Sequence, residues 1–176
     1  MTDLLIRDAT EADIPALHAL VESAYRGEAS RAGWTTEADL LDGQRTDPDD
    51  LASVLADPAQ GMLTAWRREA LVGCILIADR GDAGGYFGML SVSPMLQGGG
   101  VGRRLVEAAH AALGERFGAR RVRISVFPQR RTLIAWYERL GYAKTGETLP
   151  FPYGDPRFGL PKRDDLQFVV MERALD

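Results

Sequence analysis

A cluster of glycines at Gln97–Gly102 separates a predicted strand from a predicted helix, and it constrains the fold more than any other segment. The strand is Tyr86–Val92 and ends just before Pro94. Glycines in such a turn let the backbone approach a ligand closely, and the start of the helix directs unpaired N–H groups at that ligand. The arrangement predicts a diphosphate site, although the spacing alone also fits a tight turn without a ligand. The helix carries one apolar stripe of Leu105, Ala109, Ala112, Leu113 and Phe117.

Two other phosphate motifs do not fit this glycine cluster. The dinucleotide pattern G-x-G-x-x-G fails because its last position falls on Arg103 or Leu105. The P-loop pattern fails because no Gly-Lys-Ser/Thr sequence follows the glycines.

The remaining patterns predict an α+β chain with a central mixed sheet and a single domain over residues 1–176. Alternating or continuous apolar runs predict strands at Leu4–Asp8, Met62–Trp66, Ala70–Ala78, Arg121–Val126, Tyr142–Thr148 and Gln167–Arg173. Helical spacing predicts helices at Ile14–Tyr25, at Asp47–Leu55, at Leu133–Leu140 and, capped by Thr36, at Glu37–Gln44. The long segment Pro150–Asp165 is rich in proline, glycine and aromatic residues and predicts a functional loop.

Composition excludes several classes of protein. A single cysteine, Cys74, excludes an intramolecular disulfide, and two histidines make a metal site unexpected. The net charge of −4 argues against a nucleic-acid partner. No apolar run is long enough to cross a bilayer and the N-terminus lacks a secretory pattern, so we expect no membrane association and a cytoplasmic location.

Charge is divided unevenly along the chain. Residues 1–60 carry a balance of −9, whereas residues 61–176 carry +5. This division favours an anionic cofactor on the C-terminal part and a cationic or neutral acceptor on the N-terminal part. Solvated faces of surface helices are the alternative explanation.

Two segments resemble the GCN5-related N-acetyltransferase family. The run from Leu90 to Leu105 resembles the family signature of a strand ending in Val-x-x-Pro, followed by Gln/Arg-x-x-Gly-x-Gly/Ala at the start of a helix. The segment Trp136–Tyr142 resembles the family's Phe-Tyr-Glu-x-x-Gly-Phe segment. The resemblance implies a mostly antiparallel sheet that splays open at the cofactor site, with helices on both faces. It also implies direct transfer of an acetyl group from acetyl-CoA to an amine.

The resemblance assigns most of the cofactor site to the glycine-rich turn. It implies that the diphosphate of acetyl-CoA lies on the backbone of Gln97, Gly98, Gly99, Gly100, Val101 and Gly102, with Arg103 close by. The pantetheine arm would run beside backbone groups of Leu90 and Val92. Arg130 occupies a position where the family often has an asparagine that contacts this arm, so the matching contact stays open.

The resemblance also suggests two catalytic groups. A backbone N–H at Val92 would stabilise the developing oxyanion, and Tyr137 would give a proton to the departing sulfur. The alternative is that Tyr137 has no catalytic role and is an aromatic residue of the hydrophobic core. Tyr86 stands where histone-modifying members carry a glutamate base, so a histone-type mechanism loses support.

The acceptor site is expected near the N-terminal helices and the loop between the last two strands. We expect Tyr25, Glu28, Trp34, Glu37 and Tyr86 to contact a small-molecule amine. A carboxylate among Glu28, Glu37 and Asp39 is expected to bind or deprotonate this amine. The alternative explanation is that these acids lie near helix N-termini because the helix dipole favours negative charge there. The family resemblance leaves a homodimer open. A non-catalytic domain that binds acyl-CoA is the main alternative function, and a peptide-binding module would leave the glycine turn unexplained.

Overall fold

The computed structural model describes residues 3–33, 36–96 and 99–176, and in this part of the chain helices and strands alternate along the sequence. The strands are β1 (Leu4–Asp8), β2 (Leu41–Asp42), β3 (Gln60–Arg67), β4 (Ala70–Asp79), β5 (Gly85–Val92), β6 (Arg121–Val126), β7 (Ala143–Pro150), β8 (Leu160–Pro161) and β9 (Gln167–Ala174). The helices are α1 (Ile14–Tyr25), α2 (Gly27–Ser30), α3 (Pro48–Ala56), α4 (Val101–Phe117) and α5 (Arg131–Arg139).

One sheet of seven strands organises the molecule, in the order β1-β3-β4-β5-β6-β9-β7. Every neighbouring pair in it is antiparallel except β5 and β6, which are parallel. The predicted mixed and mostly antiparallel sheet is therefore confirmed. Strands β3 and β4 form an antiparallel hairpin, and its short turn places Arg68 in the left-handed region at φ 55°.

Helices cover both faces of the sheet, as the side chains of β4 illustrate. Because side chains alternate along a strand, Ile75 and Ile77 pack with α4 on one face. Cys74 and Leu76 pack on the opposite face with α1 and α3. A strand covered on both faces reads as a continuous apolar run, as Ala70–Ala78 does in the sequence.

The sheet opens between β5 and β6. The two strands pair only at Gly85 with Val122 and at Tyr86 with Arg123, although both continue further. A β-bulge accompanies the separation: two residues of β5, Met89 and Leu90, lie opposite the single residue Ile75 of β4. Met89 has φ 52°, a left-handed conformation that is uncommon for a residue other than glycine. The splayed sheet implied by the family resemblance is thus present.

The predicted helix at Glu37–Gln44 is wrong. A turn leads instead into β2, which pairs with β8 inside the predicted loop Pro150–Asp165. The Thr36 hydroxyl accepts a hydrogen bond from Ala38 N (3.1 Å), so it caps a turn rather than a helix. Tertiary packing explains the difference, because buried Leu40 and Leu41 contact a separate apolar cluster that includes Phe127 and Phe151.

The packing of α4 on β4 requires a glycine at position 73. A Cβ at Gly73 would lie 2.8 Å from Leu105 Cδ1 and 3.1 Å from the Ser91 carbonyl oxygen. We expect Gly73→Ala to lower the free energy of unfolding by about 1–3 kcal/mol, because the added methyl group overpacks this contact. Denaturant unfolding followed by circular dichroism measures the change.

The matched control is Gly114→Ala within α4, where the nearest atom to an added Cβ lies 4.0 Å away. Alanine favours a helix over glycine, so this variant should be equally stable or more stable by roughly 0.5–1 kcal/mol. Equal stability of Gly73→Ala and the wild type would contradict the close packing described for β4.

Candidate active site

A cavity of about 400 Å³ lies where β5 and β6 separate. Gly88 and Leu90 line it from β5, and Ile124 and Val126 line it from β6. The same space is bordered by α1, α5 and the segments on either side of β2 and β8. The opening in the sheet therefore leads directly into a chamber built from the N-terminal helices and the loop after β7.

Tyr137 of α5 reaches this cavity from the side of β6. The residue is buried, and its ring packs against Phe87 and Tyr142 at centroid distances of 5.9 and 5.8 Å. Its hydroxyl makes no hydrogen bond to any residue that the structure describes. Burial raises the pKa of Tyr137 well above 10. The phenol therefore keeps its proton at neutral pH and can offer it to a group in the cavity.

Two further tyrosines shape the cavity wall along β5. The Tyr25 hydroxyl donates a hydrogen bond to the Leu90 carbonyl at the bulge, and burial raises the pKa of Tyr25 to about 12. Tyr86 lies across Gly88, since a Cβ at Gly88 would be 2.4 Å from the Tyr86 hydroxyl oxygen. Glycine at position 88 thus makes room for the Tyr86 phenol on the cavity side of the strand.

Glu37 forms a buried ion-pair network with two arginines. Its carboxylate accepts from Arg26 Nη1 (2.7 Å) and from Arg130 Nη1 (3.0 Å), and the three side chains are at most 10% exposed. Desolvation favours the neutral acid, but the charges of Arg130, Arg26 and Arg45 outweigh it and lower the pKa of Glu37. Glu37 is therefore an ionised carboxylate held between guanidinium groups.

The glycine-rich turn lies beyond the end of β5. Gly100 precedes α4 as its N-cap in the left-handed conformation (φ 81°), and no atom of the described residues outside the adjoining backbone lies within 4 Å of where its Cβ would be. The first N–H groups of α4 have no partner within the helix. Arg67 Nη2 lies 3.9 Å from where a Cβ of Gly99 would be, and Arg67 Nε is buried without a hydrogen-bond partner among the described residues. A cationic side chain and open amides fit an anionic ligand such as a diphosphate.

Comparison with known proteins identifies the family. The sequence model of the acetyltransferase (GNAT) family matches residues 15–142. The chain belongs to this family. Its classification as an acyltransferase of the N-acetyltransferase type, predicted from the two motifs, is confirmed at this level. A search of curated proteins finds no match.

Solved structures show that this acetyltransferase shares its fold with N-acetyltransferases of low sequence identity. A ribosomal-protein-alanine N-acetyltransferase from Brucella melitensis is 23% identical with a TM-score of 0.72, covering 97% of this chain and 99% of that chain. A proposed acetyltransferase from Salmonella typhimurium, solved with its cofactor acetyl-CoA, is 20% identical with a TM-score of 0.70 (98% and 94% covered). A spermidine N-acetyltransferase variant from Vibrio cholerae is 13% identical with a TM-score of 0.69 (99% and 95% covered).

The structure brings many of the predicted site residues of this acetyltransferase together. Around the cavity lie Tyr25, Glu37, Tyr86, Leu90, Arg130 and Tyr137. Val92 lies at the end of β5 opposite Gly73, beyond the cavity. Glu28 also lies outside it, since its side chain is 89% exposed and pairs with Arg31. Gln97, Gly98 and Trp34 fall outside the described residues.

The start of α4 holds the other predicted cofactor residues. Val101 is buried, and Gly102 faces Val92 and Trp136, from which an added Cβ would be 3.7 Å away. Arg103 is exposed and its Nε donates to Glu107 Oε1 (3.0 Å).

Sequence reasoning missed three arginines that the fold places at the site: Arg45 and Arg80 at the cavity and Arg67 beside the glycine turn. The net negative charge of residues 1–60 favours acids as acceptor ligands and therefore gives no signal for Arg45. No motif marks Arg67, whose position depends on the pairing of β1, β3 and β4.

Two observations concern metal ligands and membrane-spanning helices. In residues 3–33, 36–96 and 99–176, no group of three His, Cys, Asp or Glu side chains could hold a metal ion. No helix among the described residues is long and apolar enough to cross a bilayer. The cytoplasmic location, the absence of nucleic-acid partners and the homodimer stay predictions.

The Glu37 network predicts a specific cost of neutralising its carboxylate. Glu37→Gln should lower the free energy of unfolding by about 3 kcal/mol, because two buried guanidinium groups lose their counter-charge. Denaturant unfolding at neutral pH measures the change. Glu28→Gln removes an exposed acid of the same type and should leave the stability unchanged within error. Equal stabilities of the two variants would show that the network does not support the fold.

Proposed function

We propose that the protein transfers an acetyl group from acetyl-CoA to the amine of a small molecule or to a free amino group. The observation that carries this proposal is that the protonated Tyr137 hydroxyl, which makes no hydrogen bond to a described residue, lies at the opening between β5 and β6. The family assignment and the low-identity fold neighbours support the same reaction class.

The residues present fit acetyl-CoA. In this proposal the backbone of Gln97, Gly98, Gly99, Gly100, Val101 and Gly102 holds the diphosphate, with Arg103 and Arg67 as nearby cations. Gly100 leaves open space at the start of α4, and the buried Nε of Arg67 lacks a partner among the described residues. Backbone groups of Leu90 and Val92 would hold the pantetheine arm along the part of β5 that does not pair with β6, and Arg130 lines the cavity beside it.

The reaction needs a proton donor for the departing sulfur and a hydrogen-bond donor for the oxyanion that develops on the thioester carbonyl. Acetyl-CoA supplies a thioester whose carbon–sulfur bond breaks as the carbon–nitrogen bond forms, while the amine loses a proton and the sulfur gains one. Tyr137 holds the proton for the sulfur at its phenol oxygen, and the Val92 N–H is the proposed oxyanion donor. A domain that only binds acyl-CoA would have no use for a buried phenol held protonated at this position.

In the same proposal Glu37 acts as a positioning residue and not as a base. Its carboxylate already accepts hydrogen bonds from Arg26 and Arg130, and these charges keep it ionised. It fixes Arg130, whose guanidinium carbon lies 5.7 Å from the Tyr25 ring centroid at the cavity wall.

Tyr137→Phe tests the function directly. We expect wild-type protein to release coenzyme A thiol from acetyl-CoA in the presence of an amine, and Tyr137→Phe to lower kcat about a hundredfold. The KM for acetyl-CoA should change little, because the phenol acts on the departing sulfur. Since the pKa of Tyr137 is raised well above 10, the wild-type rate should show no alkaline fall below pH 10.

Tyr142→Phe is the matched control. Tyr142 is also buried on this side of the core, but its hydroxyl bonds to His110 Nε2 (2.6 Å) and it does not line the cavity. Its removal should leave kcat within about threefold of wild type. Full activity of Tyr137→Phe, or an alkaline fall centred near pH 8, would remove Tyr137 from the mechanism.

A further inference from the structure

Arg45 stands at the cavity wall beside Tyr25. It follows β2, and its backbone N donates to Glu22 Oε1 (2.7 Å), which fixes the main chain at this point. The guanidinium carbon lies 5.2 Å from the Tyr25 ring centroid. The side chain is half-buried, yet it makes no hydrogen bond or ion pair with any residue that the structure describes.

The charges around the cavity leave an excess of positive charge. Among the described residues that line it, four are arginines (Arg26, Arg45, Arg80 and Arg130) and two are acids (Glu37 and Asp50). Glu37 is already bonded to Arg26 and Arg130, and Asp50 Oδ2 accepts from the Thr46 hydroxyl (2.8 Å). Arg80 stacks on Tyr86 at the exposed rim, with 5.0 Å between its guanidinium carbon and the ring centroid. Among the described residues, Arg45 is therefore the inner arginine of the cavity whose guanidinium forms no ion pair, and its donors can bind a ligand.

The anion that Arg45 would bind is not the diphosphate. Arg45 and Tyr86 both line this cavity. Tyr86 stands near the start of β5, whereas the glycine-rich turn follows Val92 at its end. Six residues of extended strand separate the two positions by roughly 20 Å. An anion at Arg45 consequently belongs to the acceptor side of the cavity.

Arg45 is also close to the site of transfer. Tyr25 lies between Arg45 and the bulge of β5. Its ring contacts Arg45 on one side, and its hydroxyl donates a hydrogen bond to the Leu90 carbonyl at the bulge. An acceptor held by Arg45 through an anionic group can therefore extend along Tyr25 toward the opening between the strands. A polycationic acceptor would instead place like charges beside four arginines, which disfavours binding.

We infer that the acceptor is an amine that also carries a carboxylate, as a free amino acid does, and that Arg45 binds this carboxylate. The inference rests on the proposed acetyl transfer and narrows its substrate class. A guanidinium binds a carboxylate through two parallel hydrogen bonds, which fixes the orientation of the acceptor as well as its affinity. Arg45 thus determines specificity while Tyr137 acts on the sulfur.

The test compares acceptors that differ only at the carboxylate. Thiol release is measured with leucine, leucinamide and 3-methylbutylamine, and with spermidine as a polycation, each corrected for the fraction of neutral amine. Wild-type protein should favour leucine over both neutral analogues by at least tenfold in kcat/KM. Arg45→Gln should raise the KM for leucine about ten- to a hundredfold with little change in kcat, and should leave the two neutral amines within threefold.

Two further variants make the result specific. Arg45→Lys keeps a charge at the site and should retain part of the preference for leucine. Arg120→Gln neutralises an exposed arginine on a turn before β6 and should behave as wild type. Equal use of leucine and 3-methylbutylamine by the wild type, or an unchanged KM for leucine in Arg45→Gln, would overturn the inference.

Binding measurements separate this inference from the proposed function. Calorimetric titration of leucine into the protein saturated with coenzyme A should show binding that Arg45→Gln weakens at least tenfold. If spermidine is acetylated and leucine neither binds nor reacts, the acceptor class is wrong but the acetyltransferase proposal stands. If leucine binds through Arg45 and no amine releases thiol, the site is right and the reaction is wrong.

Discussion

The interruption of hydrogen bonding between β5 and β6 is the constraint on which the rest of the site depends. The strands pair at two positions and then separate, and the bulge at Met89 and Leu90 turns the backbone of β5 away from a regular ladder. Backbone polar groups that are buried without partners are costly. The Tyr25 hydroxyl donates a hydrogen bond to the Leu90 carbonyl, which removes part of this cost. Helix α1 therefore stabilises β5 where β5 separates from β6.

The two ends of β5 perform different tasks because the strand passes through the whole site. Beyond Val92 the chain enters the glycine-rich turn, where Gly100 opens the start of α4 and Arg67 adds a cation. At the other end, Tyr86 and Gly88 shape the wall of the acceptor chamber. The buried ion pairs of Glu37 hold Arg26 and Arg130 at this wall without adding net negative charge. In the proposed function, the strand therefore separates an anion site for acetyl-CoA from a cationic chamber for the acceptor.

Local patterns in the sequence predict the sheet and the long helix α4, because alternation, helical spacing and glycine position reflect local backbone preferences. The proposed role of Tyr137 comes instead from the family resemblance of the segment Trp136–Tyr142. They fail at Glu37–Gln44, where the pairing of β2 with β8 decides the structure across more than a hundred residues of sequence. They also fail for Arg45 and Arg67, because only the folded chain shows which of many arginines lack a partner. The net charge of residues 1–60 is a poor guide to the cavity, since most of the acids lie elsewhere.

The central claim is that the part of β5 that does not pair with β6 and the start of α4 hold coenzyme A. Hydrogen–deuterium exchange, measured with and without coenzyme A, tests it without assuming any acceptor. Exchange should slow in peptides covering residues 88–92 and 99–104, where amides gain partners, and stay unchanged in β1 and α3. Unchanged exchange in both segments at saturating coenzyme A, or protection confined to other parts of the chain, would contradict this account.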